Sequence, residues 1–538
     1  MHSSLRYLQI AIFSLILFVP FLGQVHLFDW DEINFAECAR EMIVTKDYLR
    51  MQIDFKPFYE KPPLFIWLQV LSMKVFGVNE FAARFPNAMA GLVTLLTLFY
   101  VGKKVANEKM SLWWVLLYSA TWLPHFYFKT GIIDPIFNLF IFLAFFQVYS
   151  LRNNANKVLH VLLAGTFIGL AVLTKGPVAI LVSVLSFGVY FILSKGAKGY
   201  HWLHLLGIAV TALAVTSIWF GVEFLQNGPT FLVEFINYQA GLFSQNIADH
   251  EEPWYYHPIV LLIGCFPASL FLFQYTLHRN VNRHSGSDFS RWMWILFWVV
   301  LILFSIVKTK IVHYSSLCYY PLTFLAAVQM YRLSENQIKL KKWVPIMLLI
   351  VGSVWGLILA AIPFVGVYKD RLIPLIKDPF AVGNLQAQVP WSISESAFGV
   401  LYLVIIWVAV FLMKRNFNKG AYLMILAQVA IIQITMLHFT PKIESYSQRA
   451  AIEFYESKKG KDVYIQVLGF RSYAYMFYAD KQPSKNPNYY SQDWLLTGAV
   501  DKPTYFVTKI QDADQYRNLP TLKLLYEKNG FVFFQRVL

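Results

Sequence analysis

The sequence predicts an α-helical membrane protein with about thirteen transmembrane helices and a small α/β domain at its C-terminal end. Of the 538 residues, 57% are hydrophobic and only 14% are charged, with a mean hydropathy of +0.48. A soluble protein of this size could not bury that much apolar surface, so the excess faces lipid. Apolar runs long enough to cross a bilayer recur up to residue 440, and the composition turns polar after it.

The apolar runs locate the helices, because a spanning helix needs roughly 20 apolar residues. The run 62–77 is shorter and carries Lys74, so we expect a helix lying in the membrane interface. The first run follows Arg6 and resembles a signal peptide, but it lacks a small-residue cleavage site, and we interpret it as a retained anchor. The predicted spans are 6–23, 82–102, 111–128, 133–151, 158–174, 177–194, 201–223, 254–277, 292–307, 314–331, 343–367, 396–413 and 420–439.

Basic residues in the connections set the orientation. If the N-terminus is cytoplasmic, the inner connections hold 18 Lys and Arg against three acidic residues, whereas the outer loop 224–253 has neither Lys nor Arg. This positive-inside bias, together with an odd number of spans, places the C-terminal end outside. The basic residues recur as short clusters and form no single patch, so the net charge of +15 does not indicate nucleic-acid binding.

Two domains are expected. Residues 1–440 form the membrane domain, which includes a long first outer loop at 24–81. Residues 441–538 form a small α/β domain on the outer side, in which several short strand-like runs alternate with polar segments. The pair Asn529-Gly530 between two of these runs is typical of a β-hairpin turn.

Several kinds of site are absent from the sequence. There is no P-loop, no GxGxxG after a strand, no HExxH and no GxSxG. The three cysteines are too few and too scattered for a disulfide framework or a CxxC metal site. The sequence offers no cytoplasmic domain to hold a nucleotide, so an enzyme acting on the outer face would take its donor from a membrane lipid.

The first outer loop is dense in ionisable groups. Asp31 directly precedes a helical pattern, where it can cap the free backbone N–H groups, serve as a catalytic carboxylate that the same helix end keeps ionised, or do both. Glu60 and Lys61 precede two prolines at the start of the interfacial helix. In one interpretation, Lys61 extends its ammonium to the membrane interface and Glu60 is only its neighbour. In the other, Glu60 is a metal ligand and Lys61 a phosphate ligand at headgroup depth.

Other ionisable residues lie at the outer ends of predicted spans or in outer loops. Ionisable groups at membrane depth are costly and are functional candidates by default. Lysines on the side that the positive-inside bias disfavours suit an anionic headgroup, with phosphate the obvious candidate. His250 lies beside carboxylates in the loop 224–253 and is a candidate metal ligand. The residues at the ends of spans are Asp134, Lys175, Lys308, Lys310, His313 and Tyr314.

These stretches together resemble a known family. The first outer loop is similar to that of the aminoarabinose transferases that modify lipid A, which belong with the protein O-mannosyltransferases to the membrane-embedded GT-C glycosyltransferases. The resemblance covers about residues 5–330 and agrees with thirteen spans. The matching motifs are Asp31-Glu32-x-x-Phe35-Ala36-Glu37-x-x-Arg40-Glu41-Met42, Tyr59-Glu60-Lys61-Pro62-Pro63-Leu64, Thr174-Lys175-Gly176-Pro177, His250-x-x-Pro253-Trp254-Tyr255-Tyr256 and Lys308-Thr309-Lys310-x-x-His313-Tyr314.

The resemblance implies transfer of a single sugar, with inversion, from a polyprenyl-phosphate donor to an envelope acceptor such as lipid A, another glycan or a protein. In bacteria the donor lipid is undecaprenyl phosphate, and the reaction takes place on the periplasmic face of the inner membrane. The catalytic residues implied are Asp31 and Asp134. The implied ligands of the donor phosphate are Lys61, Lys175, Lys308, Lys310 and Tyr314. The implied substrate-positioning residues are Glu32, Arg40 and Tyr59. Glu60 and His250 are the implied ligands of a divalent metal (Zn, Mg or Mn).

One position departs from the resemblance. Lipid A transferases commonly carry Arg three residues after the catalytic Asp, and this chain has Asn34. Transfer to a phosphate acceptor profits from a cation there, so Asn34 leaves the acceptor open. A hydroxyl acceptor would need Asp31 as a general base. A phosphate acceptor is already a nucleophile and would need Asp31 only to position it or to balance charge.

Two other functions stay open at this point. One is a ligase that transfers a unit of many sugars. The other is a transporter or flippase of a lipid-linked substrate, which would place charges near the membrane midplane and break helices in paired halves. The predicted spans are nearly free of charge inside and the ionisable groups gather on one face, which favours the transferase.

Overall fold

The computed structural model describes residues 2–152, 154–194, 199–244, 252–277 and 287–537. Most of these residues are helical, which confirms the predicted fold class. Over this part of the chain, eight helices are long and apolar enough to cross a membrane, or nine if one bent pair counts as a single span. The number of thirteen spans therefore stays a prediction.

Helices occupy every predicted run. The helices that begin before residue 300 are α1 (His2–Phe18), α2 (Asp31–Thr45), α3 (Leu64–Phe76), α4 (Glu80–Val105), α5 (Glu108–Ser119), α6 (Trp122–Tyr127), α7 (Asp134–Leu151), α8 (Lys157–Lys175), α9 (Val178–Leu193), α10 (Trp202–Asn227), α11 (Thr230–Ser244), α12 (Tyr256–Gly264), α13 (Ala268–Leu277) and α14 (Ser287–Ile306). The later helices are a 3₁₀ turn (Val312–Cys318), α15 (Tyr319–Ser334), α16 (Trp343–Val367), α17 (Lys369–Leu372), α18 (Pro379–Leu385), α19 (Ala397–Arg415), α20 (Phe417–Ile434), α21 (Thr440–Glu444), α22 (Arg449–Glu456), α23 (Ala474–Tyr478), α24 (Gln492–Thr497) and α25 (Asp514–Arg517).

Two predicted spans are broken, which is one reason why the predicted number of spans exceeds the number of long apolar helices. The run 111–128 is divided between α5 and the six-residue α6. The run 254–277 is divided between α12 and α13, which are bent by 112° relative to each other. Pro267 lies at this bend, where its missing N–H and its ring prevent the helix from continuing.

The first outer loop contains α2, α3 and a short hairpin between them. α2 has 15 residues and carries Asp31 and Glu32 in its first turn, where acidic groups interact favourably with the helix dipole. α3 has 13 residues. At 1.5 Å per residue it is too short to cross about 30 Å of hydrocarbon. The hairpin pairs β1 (Gln52–Ile53) with β2 (Lys56–Pro57).

The C-terminal part of the chain contains a four-stranded sheet. Its strands are β3 (Tyr464–Leu468), β4 (Thr504–Lys509), β5 (Leu522–Lys528) and β6 (Phe531–Arg536), in the order β3-β4-β6-β5. β3 and β4 are parallel, and the other two pairs are antiparallel. Asn529 and Gly530 join β5 to β6 with φ values of 50° and 82°, so the predicted hairpin is confirmed.

The first outer loop and the C-terminal sheet share one apolar core. Buried side chains of α2, such as Ile33 and Met42, belong to the same cluster as Ile452 of α22 and Phe533 of β6. Ion pairs accompany this packing. The Arg40 guanidinium bonds both oxygens of Glu37 at 2.7 and 2.8 Å, and it donates to Asp480 at 2.9 Å. α2 is thereby fixed to the C-terminal part by charge as well as by burial.

Glu41 is fully buried on the same helix and holds the β1–β2 turn. Its Oε1 accepts the backbone N–H of Asp54 at 2.7 Å, and its Oε2 accepts that of Phe55 at 2.8 Å. Both turn residues have positive φ, a conformation that is strained for a residue such as Phe. Burial, together with the neighbouring charge of Glu37, raises the pKa of the Glu41 carboxyl.

Replacing Glu41 with Gln should make the stability of the protein less dependent on pH. The folded state holds the proton of Glu41 more tightly than the unfolded state, so the wild-type protein loses stability as the pH rises through the raised pKa. The neutral Gln side chain has no such loss. We therefore expect the Tm of E41Q to rise relative to that of the wild type as the pH increases from about 6 to about 9, measured by scanning fluorimetry in detergent.

The exposed Glu456→Gln substitution on α22 is the matched control. Its Tm should follow that of the wild type across the whole pH range. A constant difference between E41Q and wild type at every pH would show that Glu41 is ionised in both states.

Candidate active site

Asp31 is the first residue of α2 and does not cap it. The cap position is Trp30, which makes no side-chain capping bond. Of the two interpretations that the sequence left open, the N-cap is therefore wrong, and the carboxylate lies in the first turn. Its Oδ2 lies 3.5 Å from Nε2 of His313, and the Asp31 side chain is 32% exposed against 14% for His313. Asp31 is thus a carboxylate that solvent can reach and that a histidine orients.

Glu32, the next residue, is bonded entirely by protein groups. Its Oε2 accepts from Arg84 and from the backbone N–H of Phe28, each at 2.8 Å. Its Oε1 accepts from Arg84 at 3.0 Å and from the backbone N–H of Gly131 at 2.5 Å. The prediction that Glu32 positions substrate is corrected, because no oxygen is left for a substrate. Glu32 instead ties the start of α2 to the turn that precedes Asp134.

Asp134 begins α7 and is paired with Lys175. The Lys175 ammonium lies 2.5 Å from Oδ1 of Asp134, and the hydroxyl of Ser316 donates to the same oxygen at 3.3 Å. Asn138 in turn donates to Ser316 at 2.9 Å. Asp134 is only 2% exposed. Lys175 was predicted as a ligand of the donor phosphate. In the structure its ammonium neutralises the buried carboxylate of Asp134.

Lys61 lies among the charged groups that the sequence singled out. Burial lowers its pKa and the charge of Lys175 acts in the same sense, whereas Glu60 and Asp31 raise it. Its Nζ lies 5.4 Å from the ring centroid of Tyr238 on α11. The charges of Glu60, Asp31 and Lys175 therefore all act on the Lys61 ammonium.

Glu60 and Tyr59 contact α11. The Tyr238 hydroxyl donates to Oε2 of Glu60 at 2.9 Å, and Gln239 donates to the Glu60 carbonyl at 3.1 Å. The Tyr59 ring packs against Phe231 with centroids 5.6 Å apart. Tyr59 therefore anchors α11 against the first outer loop, and its role in positioning substrate stays a prediction.

The outer turn before α15 contributes Tyr314 to the cluster. The Lys175 ammonium lies 5.3 Å from the ring centroid of Tyr314. Burial raises the pKa of the Tyr314 hydroxyl, and the charges of Asp31 and Asp134 add to this, so it is a neutral hydrogen-bond donor. Lys308 is exposed, and the Lys310 ammonium bonds the Lys308 carbonyl at 3.5 Å.

The remaining predictions concern Arg40 and the metal. The Arg40 side chain, predicted to position substrate, is 1% exposed and is bonded by Glu37 and Asp480, so this prediction is corrected to a structural role. His250 lies outside the described residues. Within the described ranges, no group of three His, Cys, Asp or Glu side chains could hold a metal ion. Glu60 alone does not make a metal site, and the metal stays a prediction.

Sequence reasoning missed the role of His313. It lies within a motif that the sequence singled out, but only the fold brings it to Asp31. The signal for Arg84, which is 3% exposed, was a lone arginine inside an apolar run. The arrangement as a whole places an accessible carboxylate beside two ammonium groups and a neutral hydroxyl, a set that can hold a phosphate and act on a group next to it.

Comparison with known proteins finds sequence similarity to proteins that are named as sugar transferases. Residues 60–220 match the family model described as dolichyl-phosphate-mannose-protein mannosyltransferase. Undecaprenyl phosphate-alpha-4-amino-4-deoxy-L-arabinose arabinosyl transferase from Wigglesworthia glossinidia brevipalpis is 27% identical over 64% of this chain and 62% of its own length. The transferase of the same name from Edwardsiella ictaluri is 30% identical over 61% of this chain and 59% of its own length. The match thus spans less than two thirds of these relatives.

Solved structures show the fold over almost the whole chain. ArnT from Cupriavidus metallidurans bound to undecaprenyl phosphate superposes with a TM-score of 0.80 at 17% identity, covering 98% of each chain. The archaeal oligosaccharyltransferase AglB from Archaeoglobus fulgidus gives a TM-score of 0.52 at 11% identity, over 99% of this chain and 74% of that one. The chain therefore has the fold of ArnT, which agrees with the fold that the resemblance in the sequence implies.

Replacing Lys175 with Met should destabilise the protein strongly. It leaves the buried Asp134 carboxylate without its ammonium partner, which costs about 3–5 kcal/mol in comparable buried pairs. The double variant Asp134→Asn/Lys175→Met removes both charges and should recover most of the stability but not the activity. Thermal unfolding in detergent measures the first effect, and the exposed Lys308→Met is the control. An unchanged Tm for K175M would show that Asp134 does not depend on Lys175.

Proposed function

We propose that this protein transfers a single sugar from an undecaprenyl-phosphate donor to an acceptor of the cell envelope, on the outer face of the bacterial inner membrane. The observation that carries the proposal is the accessible carboxylate of Asp31, which contacts His313 and whose charge acts on the ammonium of Lys61, in a fold shared with an ArnT bound to undecaprenyl phosphate. The relatives found by sequence are named as arabinosyl transferases, which supports the same reaction class.

The donor phosphate is assigned to Lys61 and Tyr314. Lys61 is partly buried, and an ammonium with less water around it is a stronger partner for a phosphate than a fully solvated one. The neutral Tyr314 hydroxyl can donate a hydrogen bond to a phosphate oxygen. Both groups stabilise the negative charge that grows on the lipid phosphate as the bond from the sugar C1 to the phosphate oxygen breaks.

Asp31 is assigned as the residue that acts on the acceptor. An acceptor oxygen attacks C1 from the face opposite the leaving phosphate, so one displacement inverts the configuration at C1. If the acceptor is a hydroxyl, Asp31 removes its proton, with His313 orienting the carboxylate at Oδ2. If it is a phosphate, there is no proton to remove and Asp31 positions the acceptor. Asp134 is buried and paired with Lys175. Glu32 binds the turn that precedes Asp134, and this fixes the position of Asp134 relative to Asp31.

The cellular placement is part of the proposal. The positive-inside bias supports a cytoplasmic N-terminus and a periplasmic C-terminal end. Single cysteines labelled with an impermeant maleimide in whole cells would place each loop. A divalent cation held by Glu60 and His250 is also retained as a proposal, and no step above depends on it.

Replacing Asp31 with Asn should reduce transfer by roughly 10²- to 10⁴-fold for a hydroxyl acceptor, the range for loss of a general base. Binding of undecaprenyl phosphate should persist, because the asparagine side chain has the same size as the aspartate it replaces. Transfer is measured with purified protein, labelled undecaprenyl-phosphate sugars and extracted envelope, and the product is identified by mass spectrometry. Full transfer by D31N to every acceptor would rule out the assigned mechanism, and a product carrying many sugars would favour a ligase.

Replacing Lys61 with Met should weaken binding of undecaprenyl phosphate by about 1.5–3 kcal/mol, which is roughly tenfold to a hundredfold in Kd. Titration of the purified protein with undecaprenyl phosphate measures this directly. Lys74→Met, on α3 with its ammonium 4.1 Å from the ring centroid of Tyr48, is the matched control and should bind normally. An unchanged Kd for K61M would move the phosphate to other residues.

A further inference from the structure

A loop of the C-terminal part covers the residue next to Asp31. The Trp30 ring stacks on the Tyr473 ring, with centroids 5.2 Å apart and planes at 29°. The Arg471 guanidinium lies 4.6 Å from the Trp30 ring centroid. It also donates to the Tyr473 hydroxyl, at 2.7 Å from Nη2 and 3.2 Å from Nε. We call Trp30, Arg471 and Tyr473 the arginine platform.

The platform holds its guanidinium without using its charge. Arg471 is exposed, and in the described part of the chain no carboxylate lies within 4 Å of it to form an ion pair. Its described hydrogen bonds all go to the neutral Tyr473 hydroxyl, so N–H groups of Nη1 face no protein acceptor there. Stacking and hydrogen bonding fix a planar cation in one orientation, the arrangement that binds an oxyanion with least loss of side-chain entropy.

The platform is connected to the reaction centre through the backbone of Trp30. Trp30 is joined directly to Asp31, and the charge of Glu60 reaches the Tyr473 hydroxyl, whose pKa burial raises. A lipid-linked donor enters from the bilayer, and a single displacement needs the acceptor on the opposite face of the sugar.

We propose that Arg471 binds an anionic group of the acceptor and so positions the acceptor against Asp31. This inference rests on the proposed function. It assigns the acceptor to a class, a molecule with a negatively charged group near its reacting oxygen, and it gives the C-terminal part a role in choosing it. The aromatic faces of Trp30 and Tyr473 suit a sugar ring beside that anionic group.

The test compares three variants in the transfer assay with labelled undecaprenyl-phosphate sugar. Arg471→Gln removes the charge, Arg471→Lys keeps the charge but loses the fork and the stacking, and Arg517→Gln on α25 is the control. The acceptors are lipid A, the same lipid A after phosphatase treatment, and a carboxylated envelope glycan. For each, KM and kcat for the acceptor, the Kd for undecaprenyl phosphate and the dependence of kcat/KM on salt are measured.

We expect R471Q to raise the acceptor KM by about tenfold, with kcat and the Kd for undecaprenyl phosphate unchanged. R471K should recover part of the loss, and R471Q should show a weaker dependence of kcat/KM on salt. Wild type should prefer a charged acceptor over its uncharged form, and R471Q should not. The acceptor that shows this loss of preference identifies the anion as a phosphate or a carboxylate.

Equal KM values and equal salt dependence for R471Q and wild type would overturn the inference while leaving the transferase proposal in place. A fall in the kcat of R471Q, or a change in KM that R517Q shares, would also overturn the inference, because it would show a general structural effect. Lack of transfer by the wild type to any acceptor would instead overturn the proposed function. The Tm of each variant, measured alongside, separates loss of folding from loss of the contact.

Discussion

The buried carboxylate of Glu32 is the interaction on which the geometry of the site depends. It joins Arg84 of α4, the loop before α2 and the turn before α7 in one set of hydrogen bonds. Arg84 extends this set to the carbonyls of Leu22 and Val25. A buried charge pair is favourable only when all its remaining bonding capacity is satisfied, and here every oxygen of the carboxylate has partners. The positions of Asp31 and Asp134 relative to each other follow from this one group.

The sequence predicts the fold well because the bilayer imposes a simple rule on helices. Every run predicted from length and apolarity is helical in the structure, although α11 within the outer loop 224–253 was missed, and Asn529-Gly530 located the final hairpin. The breaks inside two runs escaped prediction, since a bent helix is as apolar as a straight one. Pro267 marks one of these bends, but proline also occurs inside the intact helix α16. Whether a proline breaks a helix is decided by packing that the sequence does not display.

The site was predicted in part, and the failures have a common cause. Ionisable residues at the ends of spans were recognised as functional because charge is costly there. Their partners were not, because an ion pair depends on distances between segments far apart in the chain. Lys175 was assigned to the donor and is paired with Asp134, 41 residues away. Arg40 was assigned to substrate and contacts Asp480, 440 residues away. A buried charged residue looks the same in sequence whether it faces a ligand or another segment.

The charges of the site bear on what the donor requires. Asp31, Glu60 and Asp134 bring three negative charges to the cluster, and Lys61 and Lys175 bring two positive ones. A phosphate entering this cluster meets a deficit of positive charge, although Lys61 alone would attract it. Since Lys175 is held by Asp134, further positive charge has to come from outside these five residues. A divalent cation at Glu60 would supply it and would also explain why a carboxylate stands next to the phosphate-binding lysine. Arg471 would meet the same need for an anionic acceptor, so the donor phosphate and the acceptor anion would each have a cation of their own.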